Sequence, residues 1–280
     1  FADLVDTGGE EVEVSFLWGT DPLNLNNETN VTLVSSSSET SSFLSGLTPG
    51  TQYYFQSKAE NSAGVSNGNA ITDLAYFHWE LNDTGSVAID QSNRADGLIY
   101  NASSIIDSEK GLTLSFDGDD DYINFGDLEE LDQVNEFTIS LWFNRESDSS
   151  TTQTNHQIHN ILLAQSSGSS NDNLEIGSFG SLIQVYADTG SAETDATVTF
   201  DAGLTNNRWY HLSVVYGSEL SIYLDGSKVT TWTHYNGRLE TSLSSPLSVG
   251  IARPNSNRWG DFHGRMHDLR IYLSELNDKG

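Results

Sequence analysis

The stretch "RWYHLSVVYGSELSIYLDGSKV" (residues 208–229) alternates apolar and polar side chains in two runs, with an Asp225-Gly226 pair closing the second. Alternation of period two puts every other side chain on one face of a strand. Asp-Gly suits the two-residue hairpin turn, whose central residues both need positive φ. The segment therefore predicts consecutive antiparallel strands. Working outward, the same alternation recurs in "EVEVSFLW" (11–18), "EFTISLWF" (136–143), "LIQVYAD" (182–188) and "HDLRIYL" (267–273). Helical spacing is almost absent, and only "DLEELDQV" (127–134) fits a single turn. Many short strands bounded by Gly, Asn, Asp and Ser predict an all-β sandwich or jelly roll.

Composition narrows the function classes. The chain has 280 residues, with 40 Asp+Glu against 12 Lys+Arg, for a net charge of −28. That balance argues against nucleic acid and anionic membrane surfaces as partners, since both need clustered Lys and Arg. It also suits a saline setting, where high ionic strength screens self-repulsion. The absence of Cys excludes disulfides, thiolate metal sites and a cysteine nucleophile. No apolar run approaches the ~20 residues of a membrane-spanning helix. A first residue that is Phe rather than Met predicts a piece of a longer, multidomain chain.

A boundary is expected near residues 68–74, giving units 1–72 and 73–280. In the first, "GLTPGTQYYFQSKAENSAG" (46–64) places a tyrosine just past a Pro-Gly turn, at the start of an alternating strand. This resembles the corner of fibronectin type III domains, with Tyr53 as the corner tyrosine and Trp18 as a core tryptophan. The usual first strand is missing or short, so the resemblance is to a truncated, partial domain serving as a spacer. The polar segment 144–173 around "ILLAQ" predicts a hairpin with long surface loops.

In the second unit, "FHWELNDTGSVAIDQSNRADGLIYN" (77–101), "LTLSFDGDDDYINFG" (112–126), "FTISLWFN" (137–144), the segment 208–229 and "FHGRMHDLRIYLSEL" (262–276) follow one another in order. These five blocks resemble laminin-G-like domains of the concanavalin A-like lectin/glucanase superfamily. The resemblance implies a two-sheet antiparallel jelly roll. Trp142 and Trp209 are expected in its core, and His211 as a hydrogen-bonded sheet residue.

Asp90, Ser92, Asn93 and Asp96 form an oxygen-rich loop ending at Gly97, which suits a hard cation such as calcium or, equally, an Asx turn without an ion. Carried over from the resemblance, the calcium ligands would be Asp90 and Asn93 with Asp268. Two departures stand against this. The loop is one residue short, and His267 occupies the closing-strand position usually held by Asp. The "DGDDD" run (117–121) reads as a solvated turn or as a second cation site.

Glycan binding needs aromatic platforms beside polar groups. Trp232, His234 and Tyr235 on one segment, and Arg258, Trp259 and His263 on another, are the candidates, the alternative being that they cover an end of the sandwich. For catalysis, Glu130, Asp132 and Glu136 share strand parity but lack a clean apolar face opposite, and no hydrolase motif appears. Asn-x-Ser/Thr sequons occur at Asn27, Asn30, Asn82 and Asn101.

The expectation is a non-catalytic, extracellular or cell-surface module of a bacterium or archaeon. It would adhere to a glycan or a cell-surface protein, with a structural calcium. A structural module of a surface layer, sheath or filament is the alternative from another class. A carbohydrate-binding accessory of a polysaccharide-degrading enzyme is a third.

Overall fold

A computed structural model describes residues 2–4, 6–20, 24–40, 42, 54–68, 71–72, 75–148, 158–166, 173–189, 197–232, 237–241, 245–254 and 258–276. The chain divides into two compact units, Phe1–Leu74 with Asp278–Gly280, and Ala75–Asn277. Both are built of antiparallel strands, and the described residues contain no α-helix.

The first unit contains β1 (Ala2–Leu4), β2 (Val12–Gly19), β3 (Asn27–Glu28), β4 (Thr32–Val34), β5 (Ser38–Thr40), β6 (Tyr54–Asn61), β7 (Gly64–Asn67) and β8 (Ile71–Thr72). β1 and β5 pair alone; β2 and β6 form the centre of a six-stranded sheet. Alternation in β2 buries Val12, Val14 and Phe16. The core is small, Val12, Val14 and Val34 with Leu4 and Ala59 against them. It leaves a cavity of about 330 Å³ beside Leu4, Val12, Val14 and Ala59. Trp18 is half-buried at the end of β2 and is not part of the small core formed by the described residues. Tyr53 and the turn before it lie outside the described residues.

In the second unit the chain runs through β9 (Phe77–Trp79), β10 (Val87–Ala88), β11 (Gly97–Tyr100), β12 (Ser103–Asp107), β13 (Gly111–Asp117), β14 (Tyr122–Asn124), β15 (Phe137–Ser147) and β16 (Ile161–Ser166). It continues through β17 (Asn173–Phe179), β18 (Leu182–Ala187), β19 (Val198–Asp201), β20 (Trp209–Tyr216), β21 (Leu220–Leu224), β22 (Ser227–Trp232), β23 (Ser248–Val249) and β24 (His263–Tyr272). One sheet has the order β10-β11-β14-β23-β16-β17-β18-β19; the other has β12-β13-β24-β15-β20-β21-β22, with β9 beside β24. The residues of "DLEEL" make a single 3-10 turn, Glu129–Leu131.

The two inner faces enclose one core that includes Phe77, Trp79, Phe116, Phe137, Leu141, Phe143, Tyr210, Tyr216 and Met266. Trp79 anchors it: its ring lies 4.1 Å from that of Phe125, and its Nε1 donates to Ala95 O at 2.7 Å. A Cβ on Gly97 would come within 2.5 Å of Phe125, so only glycine fits there. The Asp225-Gly226 turn forms as the sequence predicts, with φ of 51° and 79°.

One expectation is corrected. Trp142 and Trp209 lie on the outer face of the second sheet, because Phe143 and Tyr210 hold the inward positions and period-two alternation sends their neighbours out. Trp209 is still buried, its Nε1 donating to Asp107 Oδ1 at 3.1 Å. "ILLAQ" is β16, a wholly buried strand near the middle of the first sheet. It pairs antiparallel with β17, in keeping with the expected hairpin, and the flanking polar stretches 149–157 and 167–172 lie outside the described residues.

Candidate binding site

The proposed calcium set does not converge. Asp90 is completely buried, and its two oxygens accept from the backbone N–H of His78, Ser92, Arg94 and Ala95 at 2.8–3.0 Å. The Ser92 hydroxyl lies within 2.7 Å of both. Burial raises its pKa, but these donors more than compensate and hold it low. The carboxylate thus works as the clasp of an Asx-type loop in which Asn93 turns with φ of 58°.

Asp268 is on the far side of β9. A bulge in the β15–β24 ladder, between the pairs Ser140–Arg270 and Trp142–His267, inserts one extra residue. Asp268, at φ 53°, bonds His78 Nε2 and Arg270 Nε, each at 2.9 Å. Burial raises its pKa, yet the bond from His78 and the charge and bond of Arg270 hold it well below the carboxylate range.

The acidic loop behaves differently. Asp117, Asp120 and Asp121 each offer an oxygen, all within 4.8 Å of one another, the one such group among the described residues. Asp121 is buried and accepts the Asp117 N–H at 2.7 Å. Burial, then repulsion from Asp117, Asp120 and Asp119, pushes its pKa up to about 6.

Of the aromatic candidates, Trp232 ends the edge strand β22 and is 42% exposed. His234 and Tyr235 lie outside the described residues. Trp259 is a packing residue: it is buried with Ile158, Ile161, Ala164, Tyr186 and Ala252, and it bridges Ala252 beside the first sheet. The Arg253 guanidinium stands 5.3 Å from its ring, while its Nε1 is buried without a partner. Arg258 is exposed. His263 is tied to Ser147 Oγ at 2.8 Å and faces Asp117 across the β13–β24 ladder. Trp232 and Trp259 therefore belong to different sheets and make no common platform.

An exposed aromatic pair lies elsewhere on the first sheet. Ile99 and Ile123 point into the core, so Tyr100 and Tyr122, which are paired in register, point out. Their rings stack at 4.5 Å with an interplanar angle of 13°. The same outer face carries Val87 and Leu98, exposed by 36% and 52%, and Asn124. From β23 onward that face is covered, Ser248, Ala164 and Glu175 being completely buried. The strip on β10, β11 and β14 is thus a shelf beside a step. Burial first, and then Tyr100, raise the Tyr122 pKa, while the charge of Arg258 lowers it. Asn101, next to Tyr100, donates to Asp120 O at 3.3 Å. Each tyrosine's outward parity was readable in sequence. Their pairing, 22 positions apart, was not.

The carboxylates considered for catalysis do not share a strand. Glu130 lies in the 3-10 turn, Asp132 accepts the Thr241 N–H at 3.1 Å, and Glu136 accepts the Glu275 N–H at 3.4 Å. Under the covered part of the first sheet, Glu175 takes the Ser166 hydroxyl at 2.7 Å within a polar layer that includes Asn173.

Residues 117–279 match the family model described as the concanavalin A-like lectin/glucanases superfamily. No curated protein matches the sequence. Among solved structures, domain 4 of AbnA, an extracellular GH43 arabinanase from Geobacillus stearothermophilus solved with arabinotriose, is similar over 72% of this chain and 93% of its own. The identity is 15% and the TM-score 0.52. The botulinum neurotoxin serotype G binding domain is similar at 13% identity and a TM-score of 0.51, over 73% of this chain. A Trypanosoma rangeli sialidase mutant is similar at 13% and 0.51, over 98% of this chain. The chain spans about half the length of those last two, 49% and 50%. With more than half its length matched by the family model and its strands closed into two facing antiparallel sheets, the chain belongs to the concanavalin A-like lectin/glucanase superfamily, as a laminin-G-like jelly roll.

Proposed function

We propose that the second unit is a non-catalytic, extracellular glycan-binding module, and that the sugar lies on the Tyr100–Tyr122 shelf. The stacked, partly exposed tyrosines carry this reading. A sugar ring presents C–H groups to an aromatic face, and polar side chains at the rim take its hydroxyls. Asn124, and the acidic loop tied in by Asn101, stand at that rim. The similarity in fold to a domain solved with arabinotriose supports a saccharide ligand. Leu98 and Val87 extend the shelf with apolar surface, which favours a chain of sugars over a single one.

A structural calcium and a place in a larger cell-surface protein belong to the same proposal, as does a protein partner in place of the glycan. A glycan array of the whole chain, repeated with Tyr100→Ala and Tyr122→Ala, tests it. Binding is expected to fall by about tenfold or more in either variant, since one lost stacking contact is worth about 1–2 kcal/mol. A hit that both variants keep, or an empty array, removes the shelf as the site. A thermal melt with EDTA and with millimolar calcium tests the ion: a native-state ligand raises the melting temperature.

A further inference from the structure

On the outer face of the second sheet, Trp142 is flanked in register by His211 on β20 and His267 on β24. The His211 ring lies 4.9 Å from the indole, tilted by 43°. The Lys110 ammonium, from the β12–β13 turn, stands 2.9 Å above the indole ring. Thr113 comes one residue before Leu114, which is in the core and pairs with Met266, so Thr113 takes the outward parity at the end of the β13–β24 ladder, on the side of His267. Thr113 is completely buried, and among the described residues its hydroxyl has no hydrogen-bond partner; the buried Nδ1 of His267 has none either. Among the described residues, Lys110 Nζ makes no ion pair.

Three of the carboxylates near these groups are engaged elsewhere. Asp268 holds His78 and Arg270. Asp225 holds Arg208 and the His211 N–H. Asp107 holds Trp209, Arg265 and the N–H groups of Glu109 and Lys110. In a chain of net charge −28, one spot thus gathers an ammonium and two imidazoles whose neighbouring carboxylates Asp107, Asp225 and Asp268 are bonded to other groups. Ser140 and Ser213, paired one step along the same face, add hydroxyls beside them, and Arg270 lies opposite Ser140.

We propose that this cluster is a second ligand site, taking the carboxylate of an acidic sugar unit, with Lys110, His211, His267 and Thr113 around the acid group and Ser140 and Ser213 toward the ring hydroxyls. An ammonium and imidazole N–H groups make charge-assisted bonds to a carboxylate. The flanking hydroxyls favour a sugar acid over a bare one. The site is on the sheet opposite the tyrosine shelf, so it stands or falls separately from the proposal above.

Binding is pH-dependent in a stated direction. Burial lowers the pKa of both histidines, Asp268 opposing; Lys110 and Arg270 lower both further, while Asp225 raises His211 and Glu80 raises His267. Burial lowers the Lys110 pKa, opposed by Glu109, Asp268, Asp107 and Asp225. Both imidazoles are therefore harder to protonate than a free histidine. A carboxylate favours their charged forms, so affinity rises as pH falls while the sugar acid stays ionised.

The test titrates the whole chain with glucuronate, glucose and acetate at pH 7.5 and 5.5, following the histidine side-chain resonances by NMR. Glucuronate is expected to raise the pKa of His211 and His267 and to bind about fivefold or more tighter at pH 5.5, one charge-assisted bond's worth. Glucose is expected to leave both resonances unmoved, and Lys110→Met to weaken glucuronate about tenfold. Tyr100→Ala is expected to leave glucuronate binding intact. If acetate binds as well as glucuronate, the sugar assignment is overturned. If no acid moves either histidine in the unmutated protein, the site itself is overturned, whatever the stability of Lys110→Met.

Discussion

Asp268 accepts a hydrogen bond from His78 Nε2 at 2.9 Å, across the β9–β24 pair, and so faces away from the Asp90 loop it was expected to join. One extra residue in β24 causes this. The bulge keeps Met266 and Leu269 both in the core, three positions apart, and turns the two residues between them, His267 and Asp268, outward with Arg270. Asp90 meanwhile spends its oxygens on four backbone N–H groups.

That division gives the first prediction. Asp90→Asn replaces an acceptor by a donor inside a ring of buried N–H groups and is expected to destabilise the unit by about 2–4 kcal/mol. Asp268→Asn is expected to leave any calcium-dependent change in melting temperature as it was. Denaturant melts with EDTA and with calcium measure both. A calcium response abolished by Asp268→Asn alone would restore the original ligand set.

The acidic loop gives a pH dependence of known sign. Asp121 has a folded pKa of about 6, above its ordinary 3.8, so between those values the folded state holds more protons than the unfolded one. Stability from this group is full below about pH 4 and falls as pH rises through 6. Asp121→Asn is expected to stabilise the protein at pH 7 by about 1 kcal/mol and to flatten its stability between pH 4 and 6, measured by melts in EDTA. An unchanged pH profile in the variant would show that the carboxylate is not strained.

The two tryptophans once grouped as a platform are expected to part in mutagenesis. Trp259 is 7% exposed within an apolar cluster, so Trp259→Ala should cost about 3 kcal/mol or more of stability. Trp232 is 42% exposed on an edge strand, and Trp232→Ala should cost under about 1 kcal/mol. Thermal or urea unfolding of the pair decides it; equal losses would mean that Trp232 is also a packing residue.

The alternating runs, the Asp225-Gly226 hairpin and the near-absence of helical spacing determined by themselves that this chain is all-β, because period-two burial and positive-φ turns are local properties. The ordered hallmark blocks likewise carried the jelly-roll family. Even the outward position of Trp142 was implicit in "FTISLWF", where Phe137, Ile139, Leu141 and Phe143 already fill the inward parity.

Only the tertiary structure decided which outward residues meet. Tyr100 reaches Tyr122, and Trp142 reaches His211 and His267, through strand register between segments up to 125 positions apart, and sequence spacing does not encode register. The bulge at Asp268 was equally hidden, since one inserted residue reverses the facing of everything beyond it without changing the composition of the strand.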